Sequence, residues 1–358
     1  MSSASTPLAT PEPLRFGGRS GEYFRIWIVN LALTLLTLGL YSPWAKVRKL
    51  RYLYGQTELA GSRFDYLANP WVILRGRLLA VALLVAYYMS GMISTGAEAV
   101  AFVLLLAALP WIISRGLAFR AAYSSWRSVR FGFGGGYGGA LGVLYGWPLL
   151  NLLCAGLLTP LVDQRWRRYS LGRHRFGSTP FRLDAGLGRF YGIWLLLALQ
   201  AVLLLILITA LLGVLWGGLD ADTLAGIEER LETGRLEAGL GFILPGLLLT
   251  AALVWLRAFY EATLNNHLWS HLRIADHRWH CRLRVLPLFA IRLSNLLGIV
   301  LSLGLLIPWA TIRLARYRLE HMTLEVRGDL ARLEAAQAER VGPAGEGLSQ
   351  VLDLDLGF

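Results

Sequence analysis

The densest group of side chains that could do chemistry lies between residues 267 and 281. It comprises four histidines and one cysteine: His267, His271, His277, His280 and Cys281. His267 and His271 are one helical turn apart, and imidazole and thiolate are zinc ligands, so the spacing would suit a metal ion. However, His277 stands where His174 stands in a similar earlier phrase that gathers no other donor, and no set of three carboxylates accompanies the histidines. We therefore expect structural or headgroup-contacting histidines, with no metal and no cofactor.

No catalytic set can be read from the other polar residues. Neither a Ser–His–Asp arrangement nor a carboxylate pair is visible, because nothing in the sequence brings Asp163, Asp276 or Glu261 together. The two cysteines lie in an apolar segment (Cys154) and a basic loop (Cys281), which excludes a disulfide framework. We expect that the protein is not an enzyme.

Polar residues inside apolar segments are better functional candidates, because such groups are costly in lipid and usually face protein or water. The candidate intramembrane set is Asn30, Asn295, Gln200, Arg257 and Glu261. Arg257 and Glu261 are one turn apart and can pair, although arginines near an interface also extend towards headgroups. Asn30 and Asn295 occupy matching places in a repeat, where an amide could bond a neighbouring helix or line a pore.

The segments that hold these residues indicate a membrane protein. The chain is 55% hydrophobic and 16% charged, with a mean hydropathy of +0.50. Its apolar segments cover 26–44, 72–94, 98–119, 140–162, 190–216, 239–260 and 288–311. About 20 such residues cross a hydrocarbon core of about 30 Å, and their backbone amides must bond within the segment. We predict an all-α polytopic membrane protein. The net charge of +12 comes from arginines between the segments, which favours anionic lipid over nucleic acid.

An ungapped repeat relates residues 30–52 to residues 295–317. Both stretches contain Leu-Gly-Leu, Pro-Trp-Ala and Arg-x-x-Arg-Tyr in register, and segment 140–162 matches more loosely. The break in each strong copy comprises Gly39, Pro43 and Trp44, or Gly304, Pro308 and Trp309. We predict matching bends at these positions. The proposed divisions are a disordered N-terminus (1–13), repeats over 14–119, 120–260 and 261–327 (the last one partial), and a soluble tail over 328–358.

The distribution of positive charge predicts the topology. Five connections are basic, whereas residues 95–97 lack a cation and residues 217–238 are acidic. The positive-inside rule then places the basic connections and both termini in the cytoplasm. Segments 26–44, 140–162 and 288–311 would have both ends on that side. Either these three are re-entrant or interfacial and four crossings remain, or they cross and the rule fails twice. We favour the first alternative.

Basic residues that follow the breaks are predicted to face anionic headgroups. They are Lys46, Arg48, Arg51, Arg165, Arg168, Arg313 and Arg316. Short phrases with an aromatic residue behind an arginine come next, such as Arg63-Phe64-Asp65-Tyr66 and His174-Arg175-Phe176. Their alternation is typical of strands or edge hairpins. We therefore add to the all-α prediction a small cytoplasmic β-element whose aromatic residues pack on the helix ends.

Several phrases resemble the YjgN-like family of bacterial inner-membrane proteins. They are Gly21-Glu22-Tyr23-Phe24, the run from Leu38 to Arg48, Phe64-Asp65-Tyr66 and Asn69-Pro70-Trp71. The resemblance covers roughly residues 14 to 326. It departs from the pattern at Glu320-His321-Met322, where Gly55-Gln56-Thr57 stands in the first copy. The resemblance implies a multi-pass protein of the inner membrane and no established activity.

Two classes of function fit this sequence. We favour a transporter or channel of unknown substrate, because breaks repeated at matched positions are costly unless they line a site. The alternative is a structural or lipid-binding envelope protein that neither transports nor catalyses, with the anionic headgroups of the bilayer as its partner.

Overall fold

The computed structural model describes residues 10–216 and 236–328. Its helices are α1 (Ser20–Leu36), α2 (Ser42–Gly55), α3 (Pro70–Ile93), α4 (Thr95–Ala122), α5 (Tyr137–Leu141), α6 (Trp147–Leu153), α7 (Thr159–Ser170), α8 (Leu187–Trp216), α9 (Leu236–Ser270), α10 (Val285–Leu301) and α11 (Ile307–Glu320). A π-helical turn, Gly142–Gly146, joins α5 to α6. The strands are β1 (Thr10–Pro13), β2 (Arg15–Phe16), β3 (Thr57–Leu59), β4 (Ser62–Tyr66), β5 (Ser124–Trp126), β6 (Val129–Phe133), β7 (His174–Phe176), β8 (Thr179–Leu183), β9 (Leu272–Ile274), β10 (His277–Cys281) and β11 (Met322–Val326).

Within the described residues, four helical stretches are long and apolar enough to cross a membrane. They are Pro70–Ile93, Thr95–Ala122, Leu187–Gly213 and Leu244–Ser270. They coincide with four of the apolar segments read from the sequence. Ser94 separates the first two, and its hydroxyl accepts a hydrogen bond from the Ala97 N–H at 3.1 Å, which caps α4.

The other three apolar segments are interrupted by the same local backbone. In each, the helix before the break is followed by one C-cap residue and then by two residues with positive φ: Leu38 and Gly39, Ala155 and Gly156, or Leu303 and Gly304. The glycine N–H then donates to a carbonyl five residues back, at 2.7 Å in the first segment and 2.8 Å in the others. This is the long bond of a Schellman ending. The next helix has Pro43, Pro160 or Pro308 at its second position, where a missing N–H costs little.

The prediction of an all-α protein with a minor β-element was wrong. The described residues form an antiparallel sheet of 11 strands in the order β1-β11-β10-β9-β8-β7-β6-β5-β4-β3-β2. Four hairpins share one design, in which a strand of 3 residues, a two-residue turn and a strand of 5 residues follow one another. Strands this short carry little alternation, so the sequence alone understated the sheet.

The sheet is nearly closed through its first two strands. β1 pairs with β11, β2 pairs with β3, and Leu14 alone separates β1 from β2. The Leu14 N–H donates to the Met322 carbonyl at 3.0 Å, and the Gly17 N–H donates to the Gln56 carbonyl at 2.8 Å. Residues 10–13, which we placed in a disordered N-terminus, therefore form a strand that pairs an otherwise open edge.

The strand register separates the sheet into an apolar face and a charged face. Buried residues of the apolar face include Phe16, Leu59, Tyr66, Trp126, Phe176, Leu183, Ile274, Met322 and Leu324. Phe16 packs with Tyr23 and Ile312 of the helices. What we call the charged face is the opposite set: Arg15, Glu58, Arg63, Asp65, Arg130, Arg175, Arg182, Arg273, Arg278 and Glu325.

The chain divides into two compact units. The first comprises Met1–Leu187, Leu268–Cys281 and Ile307–Phe358, and it holds all the described strands together with α3 and α4. The second comprises Gly188–His267 and Arg282–Leu306, and it holds most of α8 and α9 together with α10.

Candidate functional site

Asn30 joins the two arms of the first broken segment. It lies on α1 with 7% of its surface exposed. Its Nδ2 donates to the Ala45 carbonyl on α2 at 3.5 Å, which is the long limit of a hydrogen bond. Its buried Oδ1 has no hydrogen-bond partner among the described residues. The amide thus ties one helix to the next and keeps one acceptor available. Asn295, on α10, is buried to the same degree.

In the second unit, the polar candidates Glu261 and Gln200 each form a hydrogen bond to a residue of a neighbouring helix. Glu261 is 7% exposed and accepts a hydrogen bond from the Arg292 guanidinium, so its partner is Arg292 and not Arg257, which is exposed. Gln200 accepts a hydrogen bond from the Trp255 indole N–H at 2.8 Å. Loss of one member of a buried ion pair typically costs about 3–5 kcal/mol. These groups therefore hold α8, α9 and α10 together.

Exposed leucines surround each break. Leu38 and Leu303 are both 96% exposed, and Leu153 is 77% exposed. The break prolines Pro43 and Pro308 are buried. The break residue Trp44 packs against Trp71 with ring centroids 4.9 Å apart, and Trp309 is partly exposed. We call the exposed turns at 36–41, 153–158 and 301–306 the apolar tips.

The helices that follow the tips are basic. Some of their cationic side chains are exposed, and others stack on tryptophan rings. Lys46 and Arg48 are exposed on α2. Arg165 lies over the Trp147 ring at 4.7 Å, and Arg313 lies over the Trp309 ring at 5.0 Å. Both contacts are cation–π interactions, which suit the interfacial region of a membrane.

Three of the predicted headgroup residues donate hydrogen bonds to main-chain carbonyls. Arg51 donates to the carbonyls of Tyr66 and Ala68, Arg168 to Ala185 and Arg316 to Gly18. Ala68, Ala185 and Gly18 each lie between a strand and the following helix, and Tyr66 is the last residue of β4. The signal that sequence reasoning missed is positional, because each arginine stands 6 residues before the first residue of a strand: Thr57, His174 or Met322.

The histidines serve the sheet and the helix packing. Buried His277 accepts the Arg327 N–H through Nδ1 at 3.1 Å, and burial lowers its pKa. The His280 Nε2 lies 2.9 Å from a Glu325 carboxylate oxygen. That hydrogen bond and a further one from Arg327 lower the pKa of Glu325. Across the described ranges, no group of three His, Cys, Asp or Glu side chains could hold a metal ion.

Two rows of the charged face are arranged in opposite ways. In the alternating row, Arg15 lies opposite Glu58 and Glu58 lies opposite Arg63. In the uniform row, Arg182 lies opposite Arg273 and Arg273 lies opposite Arg278. Cβ atoms of directly opposed residues are about 4.5–5.5 Å apart. Sequence reasoning missed both rows, because which strands are neighbours is not a local property.

A cleft of about 410 Å³ adjoins the alternating row at the point where β1 gives way to β2. Its charged lining consists of Arg15, Arg63, Glu58 and Glu320. Positive and negative side chains are balanced there.

Comparison with known proteins connects the chain to bacterial membrane proteins. It is 31% identical over 154 residues to the inner membrane protein YjgN of Salmonella typhimurium, a match that covers 42% of this chain and 38% of that protein. It is 33% identical over 147 residues to inner membrane protein YjgN of Escherichia coli K12, covering 39% and 36% respectively. The chain thus spans little more than a third of these curated relatives. No solved structure matches it. Residues 11–351 match a family as a whole, and the chain therefore belongs to the bacterial proteins of unknown function called DUF898.

Proposed function

We propose that this protein is a lipid-binding protein of the inner membrane, whose apolar tips enter only the outer part of the cytoplasmic leaflet. The observation that carries the proposal is the short distance between each apolar tip and the first charged residue of the helix that follows it. Lys46 lies 4 residues after Ser42, the first residue of α2. That spacing corresponds to about 6 Å of helix. Because a cation in hydrocarbon is costly, an exposed lysine so close to the tip favours a position near the headgroups.

The other two tips support the same depth. Asp163 follows the start of α7 by 4 residues, and Arg313 follows the start of α11 by 6 residues. Each charge is therefore within two helical turns of an apolar tip. An apolar turn beside a basic helix with tryptophan is typical of segments that lie in the interface, with their apolar part buried by about 5–10 Å. We propose that the three tips arose from a repeated unit.

The hydrogen bonds of the intramembrane polar residues favour a structural role over transport. Asn30, Gln200 and Glu261 each bond to a group of the protein itself. In this proposal the strands lie in the cytoplasm, as do both termini, and the basic helices contact anionic headgroups.

A native cysteine offers a direct test of tip depth. Cys154 lies at the second tip, whereas Cys281 is buried in the sheet. In a Cys281→Ala variant, an environment-sensitive fluorophore on Cys154 would be placed in nanodiscs that contain nitroxide lipids. We expect the strongest quenching from nitroxides near the headgroup. Strongest quenching from the bilayer centre, or from no lipid at all, would overturn the proposal.

A matched control uses the exposed turn between β9 and β10. Asp276→Cys in a chain without Cys154 and Cys281 places the fluorophore outside the membrane. We expect quenching there by a water-soluble quencher alone.

Transport is a second candidate, favoured by the unpaired Oδ1 of Asn30. Ion flux into proteoliposomes would separate the two functions. Transport requires flux that Asn30→Leu removes while folding persists. Lipid binding instead expects no flux above empty liposomes and a loss of stability of about 1–2 kcal/mol for the lost interhelical bond.

A further inference from the structure

The uniform row concentrates positive charge on three adjacent strands. Arg182 of β8, Arg273 of β9 and Arg278 of β10 face the same side, each directly opposite the next. Like charges in directly opposed positions destabilise a sheet. The repulsion among these three arginines therefore needs a nearby negative charge to offset it.

The protein itself compensates this charge only in part. Glu325 lies opposite Arg278, but its carboxylate bonds to His280 at 2.9 Å and to Arg327 at 3.2 Å. Asp184 approaches Arg273 at 3.9 Å and is largely exposed, so it contributes little. Within the part of the chain that the structure describes, Arg182 and Arg278 have no hydrogen-bond or ion-pair partner. Two guanidinium groups, each able to bind an oxyanion in a bidentate manner, are thus available.

The position of the row along the chain favours a lipid as the source of the anion. Arg182 lies 5 residues before the candidate span that begins at Leu187, and Arg273 lies 3 residues after the span that ends at Ser270. Each of these spans has 27 residues. A helix of that length is about 40 Å long, which matches a bilayer with its headgroups. Arg182 and Arg273 are therefore juxtamembrane along the chain, and cations in such positions attract anionic lipid headgroups.

We infer that Arg182, Arg273 and Arg278 form a binding site for the phosphate of an anionic phospholipid headgroup. This inference rests on the proposed lipid-binding function and names the site that selects the headgroup. The alternating row provides the contrast, because a carboxylate, Glu58, lies opposite both of its arginines.

The test compares the two rows in the full chain. Detergent-solubilised protein is titrated with phosphatidylglycerol, and bound lipid is measured by native mass spectrometry. Arg273→Gln with Arg278→Gln is expected to weaken the dissociation constant about thirtyfold, because each juxtamembrane cation contributes to anionic lipid binding. Arg15→Gln with Arg63→Gln removes the same charge from the alternating row and is expected to leave the affinity unchanged. Equal losses in both double variants would overturn the inference.

Two further measurements complete the test. Arg278→Lys keeps the charge but loses the bidentate geometry, and we expect an intermediate affinity with folding intact. Inorganic phosphate in the same titration should compete weakly. If it displaces the lipid at equal concentration, the row binds a soluble anion and the inference fails. The Cys154 depth measurement separates this failure from that of the proposed function, because tip insertion does not require the row.

Discussion

The alternating and uniform rows lie on the same face of the sheet, but their arginines have opposite kinds of neighbour. An arginine faces a carboxylate in the first row and another arginine in the second. Glu58 lies between Arg15 and Arg63 in the strand register, whereas Arg273 lies between Arg182 and Arg278. Opposed charges of unlike sign stabilise a strand pair, and like charges destabilise it. We therefore expect the alternating row to stabilise the sheet, and the uniform row to destabilise it unless an anion binds.

The largest effect is expected from Glu58→Arg, which converts the alternating row into a uniform one. Two attractive pairs would become repulsive, and the free energy of unfolding should fall by about 1–2 kcal/mol. Thermal unfolding in a zwitterionic detergent would measure the change. Glu58→Gln serves as the control, with about half the loss. An unchanged midpoint would show that the row contributes nothing to stability.

The reverse change should stabilise the protein. Arg273→Glu makes the second row alternate, and without anionic lipid the free energy of unfolding should rise by about 1 kcal/mol. The gain should shrink as salt is added, because exposed charges are screened. Arg273→Gln should give a smaller gain. Destabilisation by both variants would mean that Arg273 has a structural role that outweighs repulsion.

The smallest expected effect is a loss of stability at acidic pH. We expect it only in the half of the sheet that contains the uniform row. Burial lowers the pKa of His277 on β10 and of His174 on β7. The unfolded chain therefore binds protons first as the pH falls below about 6.5, so stability decreases with acidification. Amide hydrogen exchange should rise in β10 and β11 before it rises in β3 and β4.

A substitution tests whether His277 causes this acid response. His277→Gln removes the titrating ring but retains an acceptor for the Arg327 N–H. The melting temperature of the variant should depend less on pH than that of the unchanged protein. Equal pH dependence in both would assign the response to another group.

Local features of the amino-acid sequence determined the membrane class, the four candidate spans and the place of each break. Length and hydropathy along one segment are enough to identify a span. Likewise, Gly39 and Gly304 can adopt positive φ, and Pro43 and Pro308 can begin a helix, whatever surrounds them. These properties depend on a few consecutive residues, so they could be predicted from the sequence without knowledge of the tertiary fold.

Contacts between residues far apart in the chain depend on the tertiary fold and were not visible in the sequence. Strands of 3 to 5 residues have almost no signal of their own, so the sheet and its closure through Leu14 were missed. The bond from Arg51 to the carbonyl of Ala68 was not visible in the sequence, and Glu261 bonds to Arg292 instead of Arg257. The two rows of arginine differ for the same reason. Charge is a property of each residue, but whether it is compensated depends on the neighbouring strand, and that neighbour is chosen by packing across the whole sheet.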